Sequence, residues 1–202
     1  MTTETAEPPL AAAQRPTPAG RLPGDLVIWL FVLLELSTFA LLFLAFAFTR
    51  LSQPEIFAAG QDSLDQSVGA INTMLLITAS ACAAQALASV RAARPKTGAR
   101  WLCGALLFGA GFLVLKSQEY MAKWHEGIDI ASNDFYMLWA MLTGFHFMHV
   151  VAGCVIFTLL IRPTASGRYT AENCIPLESG CVFWHMVDLL WIVLFPLVYL
   201  LR

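Results

Sequence analysis

Five long stretches of this chain are apolar, and short polar or turn-forming segments separate them. Pro23-Gly24-Asp25 opens the first, with Asp25 placed to cap a helix over Leu26–Phe48 that only Glu35, Ser37 and Thr38 interrupt. The second, about Val68–Val90, is crowded with Ala, Ser, Thr and Cys, small residues that let membrane helices approach closely. Its modest hydropathy predicts a more interior than lipid-facing position. The third runs from about Trp101 to Trp124 and turns polar at its far end. The fourth covers Phe135–Ile161 after the capping run Ser132-Asn133-Asp134. The fifth covers about Leu177–Leu201 and contains Pro196, which a membrane helix accommodates where neighbours re-satisfy the freed carbonyl. At ~20 apolar residues per crossing, the pattern predicts an all-α, polytopic membrane protein with five transmembrane helices over residues 23–202. There is no internal repeat and no β-barrel alternation. Residues 1–22, with Pro8, Pro9, Pro16 and Pro18, read as a flexible N-terminal tail, neither a signal peptide nor an Arg- and Ser-rich import sequence.

Composition agrees with that solvent. Of 202 residues, 58% are hydrophobic and 13% charged, with mean hydropathy +0.66, against roughly 25% charged in soluble domains. A soluble domain and a nucleic-acid binder are excluded. The net charge of −2 says little, because placement of cations matters more than their sum. Arg15, Arg21, Arg91, Arg94, Lys96, Arg100, Arg162 and Arg168, eight in all, fall on one side, and Arg50, Lys123 and Arg202, three, on the other. The positive-inside rule then predicts a cytoplasmic N-terminus and a periplasmic C-terminus. The five cysteines show no CxxC or Cys-His ligand spacing and read as packing thiols.

Seven ionisable residues lie inside the spans: Glu35, Lys116, Glu119, His146, His149, His185 and Asp188. A charge near the bilayer centre costs about 2.5–3.5 kcal/mol on the insertion scale, so these groups should face the bundle interior or another protein. Lys116, Glu119, Tyr120 and Lys123 form one stripe at helical spacing; either Lys116 and Glu119 neutralise each other or the stripe snorkels to the interface. Thr143, His146, His149 and Gly153 share a face of the fourth helix. Trp184, Asp188 and Trp191 share one on the fifth, with His185 adjacent, and Asp188 can accept from His185 or from a histidine of the fourth helix. Three histidines invite a haem or metal hypothesis. The alternative, histidines that bridge helices as satisfied donors and acceptors, is favoured, because His146 and His149 crowd one helix and no paired Glu-x-x-His motif exists. Glu35 has no basic residue in the first two helices; a lone carboxylate there suggests either a proton or lipid role or a neutral glutamate bonding to Thr73 or Ser80. A self-sufficient membrane cytochrome remains an alternative. So does a small proton or ion transporter, against which the odd helix count and lack of inverted repeats stand.

Two motifs carry a family resemblance: Thr143-Gly144-Phe145-His146-x-x-His149-Val150 with Gly153, and Trp184-His185-x-x-Asp188-x-x-Trp191. Glu119-Tyr120, Asn72-Thr73 with Ser80, and Glu35 support them. From about Pro23 to Leu201 the chain resembles subunit III of the haem-copper cytochrome c and quinol oxidases. The resemblance implies helices in two groups around a lipid-filled cleft, with structural phospholipid. It also implies no redox centre, cofactor or metal in this chain, haem and metals residing in partner subunits. The implied role is a non-catalytic accessory subunit of the bacterial inner membrane that binds the catalytic subunit and supports its stability and turnover. The histidines resemble structural positions. The chain lacks the two additional N-terminal helices of the mitochondrial form. Its two ends look closer to the short nitric-oxide-reductase-associated branch (NorE type), which makes a nitric oxide reductase the expected partner and an oxygen-reducing oxidase the alternative.

Overall fold

A computed structural model describes residues 23–129 and 132–201. The expected 1–22 tail lies outside the described residues, as does Arg202. Five helices are long and apolar enough to cross a membrane: α1 (Leu26–Ser52), α3 (Gln66–Arg91), α4 (Pro95–His125), α5 (Asp134–Ala165) and α6 (Ile175–Phe195), the last extended to Leu200. A sixth, short helix, α2 (Pro54–Asp62), lies between α1 and α3. Nothing in the apolar pattern announced it, because nine residues around Pro54 and Glu55 carry too little hydrophobic signal.

Local chemistry sets the boundaries. Asp25 accepts from the Leu26 N–H at 2.7 Å and caps α1 as expected, after a turn in which Gly24 takes φ +82°, a left-handed backbone that favours glycine. Asp65 caps α3 through Ser67 N–H, and Asn133 caps α5 through Tyr136 N–H. α4 starts earlier than the apolar run because Pro95 sits in its first turn, where a missing N–H is harmless.

Helices α3, α4, α5 and α6 pack around a closed ring in that order, and α1 lies outside it against α5 and α6. The helices therefore divide into a ring of four and one helix outside it. α6 is the most enclosed helix and α1 the least, and the small-residue helix α3, expected to be more interior than lipid-facing, is second to α6. Small residues do set its close contacts: Gly69 lies against the Phe195 ring, and Cys181 Sγ donates to Ala83 O at 3.5 Å.

Near the middle of the ring, Trp184 of α6 is fully buried and wedged between two glycines. A Cβ on Gly109 (α4) or Gly153 (α5) would stand 2.6 Å from its ring. The ring also stacks on Phe157 at 4.8 Å. At the end where α2 lies, Phe46, Phe57 and Phe135 form an edge-to-face cluster at 5.0, 5.5 and 6.3 Å that seats α2 on α1 and α5.

Pro196 does not simply bend α6. The α-helix stops at Phe195 and continues as one wider π turn, Pro196–Leu200, closed by Leu201 N–H on Pro196 O at 2.9 Å. Gln61 of α2 donates its amide to the carbonyls of Leu197 and Val198 at 3.3 and 3.1 Å, groups with no helix beyond them to accept from.

The glycine wedge gives a paired test. Gly153→Ala should lower stability by about 1–3 kcal/mol through overpacking against Trp184. Gly144→Ala, whose Cβ would meet nothing within 4 Å, should be neutral or gain up to about 1 kcal/mol of helix propensity. Thermal melts of both variants in one detergent separate these outcomes.

Candidate functional site

The interior polar residues gather in four clusters, and the densest surrounds Lys116. This side chain has no exposed surface, so the snorkelling reading of its stripe is excluded. Its Nζ donates to Glu119 Oε2 at 3.0 Å and to Tyr199 Oη at 2.6 Å, and Tyr199 O–H donates to Glu119 Oε1 at 2.7 Å, closing a three-membered loop. Four rings enclose the ammonium: Trp139 at 5.0 Å, Tyr120 at 5.1 Å, Tyr199 at 5.3 Å and Trp191 at 5.8 Å from Nζ to centroid. A desolvated cation over such rings gains about 2 kcal/mol or more from the ring quadrupoles. Tyr120 O–H donates to Thr143 Oγ1 at 2.9 Å, and the Thr143 O–H donates in turn to Trp139 O at 2.6 Å. Trp191 Nε1–H donates to Thr73 Oγ1 at 2.9 Å. All four helices of the ring thus contribute to one cage. Lys123, further along the stripe, is spent on Ser63 O and Glu126, each at 2.8 Å.

The histidines part company. His146 is fully buried between Trp191 (5.0 Å) and Phe112 (5.6 Å) and makes no hydrogen bond to the protein, so it bridges helices by ring packing, not as the donor and acceptor expected. His149 turns the other way, toward α1. Its Nδ1–H donates to Phe145 O at 2.7 Å, since a carbonyl can only accept, and its Nε2 faces Glu35 Oε2 at 3.2 Å. That contact needs one proton between the two groups. Glu35 therefore finds its partner on α5, and the expected bond to Thr73 or Ser80 does not form, because α1 packs on α5 and α6 while those hydroxyls belong to α3. Divergent directions from one helix do not assemble His146 and His149 around a common ion.

On α6, His185 is exposed and its Nδ1 pairs with Ser80 Oγ at 2.6 Å. Ser80 also lies against Asp188, so the hydroxyl mediates between His185 and Asp188, which the sequence reading joined directly. The order His185–Ser80–Asp188 places no acid behind the histidine and does not activate the serine as a nucleophile. Asp188 Oδ1 is buried without a protein donor, and no α5 histidine reaches it.

The fourth cluster was not foreseen. Glu178, in the first turn of α6, accepts from Gly24 N–H at 3.0 Å, from Arg91 at 2.8 Å and from Cys174 Sγ at 3.1 Å, tying together the start of α1, the end of α3 and the start of α6. Tyr199 and Trp139 also escaped notice as partners of Lys116. The available signal was a buried cation requiring a cage of aromatic residues, four of which lie one or two turns from helix ends.

Over residues 24–202 the chain matches the family described as cytochrome c oxidase subunit III. The chain belongs to the cytochrome c oxidase subunit III family. Its relatives include cytochrome c oxidase subunit 3 of Synechocystis sp., 31% identical over 173 residues, which is 85% of this chain and 73% of that protein. The cytochrome c oxidase subunit 3 of Bacillus subtilis is 33% identical over 181 residues, 86% of this chain and 84% of that one. The probable cytochrome c oxidase subunit 3 of Nocardia farcinica is 34% identical over 103 residues, 51% of each chain. Five spanning helices in a subunit III bundle make this a multi-pass protein of the bacterial inner membrane.

In this family member the ion pair is open to direct test. Lys116→Met or Glu119→Gln alone should lower stability by about 3–5 kcal/mol, since each strands one buried partner. The double variant K116M/E119Q, which keeps an acceptor for Tyr199, should return to within about 1 kcal/mol of the unmodified chain. A double-mutant cycle on melting temperatures checks this.

Proposed function

We propose that this chain is the non-catalytic subunit III of an oxygen-reducing haem-copper oxidase, seated against the catalytic subunit and supporting its assembly and stability. The observation that carries this is the family match, which runs from the first helix cap to the end of the chain, with relatives that bear the cytochrome c oxidase name. Haem and copper belong, on this reading, to the partner subunits. The chain's own polar groups serve to hold helices: the Lys116 ammonium donates to Glu119 and Tyr199 inside its aromatic cage. A nitric oxide reductase partner, suggested by the two ends of the sequence, is the second reading, and the oxidase relatives favour the first.

The outer strip of α6 is the face we assign to the partner. His185 points outward within a span, beside exposed Leu189 and Ile192. A polar ring facing lipid is costly, and a neighbouring polar helix removes that cost.

A tagged copy taken from native membranes in mild detergent should bring with it haem-containing subunits that consume oxygen when supplied with reductant. Nitric oxide consumption by the recovered complex, without oxygen uptake, would select the second reading. His185→Ala should reduce recovery of those subunits while lowering the stability of the isolated chain, read from thermal melts, by no more than about 1.5 kcal/mol, the worth of its one bond to Ser80.

A further inference from the structure

Positive charge accumulates where α3 hands over to α4. Arg91, Arg94, Lys96 and Arg100 lie within ten residues. Arg91 is committed to Glu178 at 2.8 Å. Arg94, Lys96 and Arg100 are exposed, and among the described residues they make no hydrogen bond or ion pair. The first turn of α4 holds no acidic residue, so these cations crowd the end of a helix whose dipole favours anions.

Next to Arg100 the seam between α3 and α4 opens into a groove of about 410 Å³, lined by Cys82, Thr97, Arg100, Trp101, Gly104 and Phe108. Gly104 keeps it open: a Cβ there would already lie 3.5 Å from Cys82 Sγ, and a longer side chain would fill the space. Thr97 and Arg100 stand at one end, and the remaining wall is apolar. Trp101, 40% exposed, is the kind of amphipathic ring that sits at headgroup level. The apolar groove thus ends at Arg100, and the unpaired cations Arg94 and Lys96 lie in the chain segment just before it.

We propose that this groove binds an anionic phospholipid, its phosphate held by Arg100 with Arg94 and Lys96 and an acyl chain laid along Gly104 and Phe108. Basic pockets between membrane helices recognise such headgroups. The bilayer is the source of the occupant, since the groove is apolar and runs along the helices. The site is separate from the Glu35–His149 contact, which joins α1 to α5, and it does not depend on which gas the partner complex reduces.

Native mass spectrometry of the purified full chain, titrated with phosphatidylglycerol or phosphatidylethanolamine at matched concentrations, tests the site. The unmodified chain should retain phosphatidylglycerol at least about fivefold better, the selectivity one well-placed cation supplies near a membrane surface. R94Q/K96Q/R100Q should abolish the preference, and Gly104→Leu should reduce phosphatidylglycerol retention with all three cations intact. Equal retention of the two lipids by the unmodified chain would overturn the proposal, as would an unchanged preference in both variants. Loss of a co-purifying subunit from R94Q/K96Q/R100Q with lipid retention unaltered would assign the cations to an acidic protein segment instead and would equally overturn it.

Discussion

A lysine ammonium sealed from water inside a membrane bundle imposes the strictest condition on this fold. Lys116 cannot reach an interface, so every element around it must supply compensation. Glu119 provides the charge one turn along the same helix, Tyr199 bridges the pair, and four aromatic rings replace the missing hydration. Tyr199 reaches the site only because the chain widens into a π turn after Phe195, and that turn is held by Gln61 from α2. The short helix is in turn seated by Phe57 between Phe46 and Phe135. One buried charge thereby explains a proline, a π turn and a small helix that would otherwise look unrelated.

The opposite end is organised by a carboxylate. Glu178 gathers a backbone N–H, a guanidinium and a thiol from three chain segments, and together with Ser179, whose Oγ accepts from Asp25 N–H, it fixes where α1 enters relative to the ring. Between the two ends, contact is made by close packing of small residues, with Trp184 clamped between Gly109 and Gly153. This division has a physical reason. Lipid offers no hydrophobic drive for helices to associate, so shape complementarity and a few polar bonds must select the register. A cation that fits only one cage rejects a helix slipped by a turn, because the slip would strand the charge.

The sequence made the number of spans and their caps legible, because the bilayer demands long apolar runs and Asp25 and Asn133 mark their starts. The Lys116–Glu119 pairing was legible too, since three-residue spacing on one helix is local information. Neighbour relations were not. The Thr73 and Ser80 hydroxyls expected for Glu35 belong to α3, the next span in sequence, whereas in space α1 packs on α2, α5 and α6. The same omission joined His185 to Asp188 without the Ser80 hydroxyl that stands between them. Glu178 went unremarked because a carboxylate in the first turn of a helix is ordinary by local rules, and only the arrival of Arg91 and Gly24 makes it a hub.

These features bear on what an accessory membrane subunit has to do. A non-catalytic subunit contributes by presenting a rigid surface, and rigidity in lipid comes from polar contacts that tolerate few alternatives. Here the charged groups within the ring are consumed internally, while α1 lies outside it with its apolar side chains exposed and α6 turns one histidine outward. The interior groups cannot serve a partner without dismantling the cage, so the groups left over must. They are few: the His185 strip on α6 within the membrane, and the unbalanced cations at the α3–α4 handover. On the proposed reading, partner contact and lipid contact fall on different surfaces, and the caged lysine, toward the other end of α4 from those cations, belongs to neither.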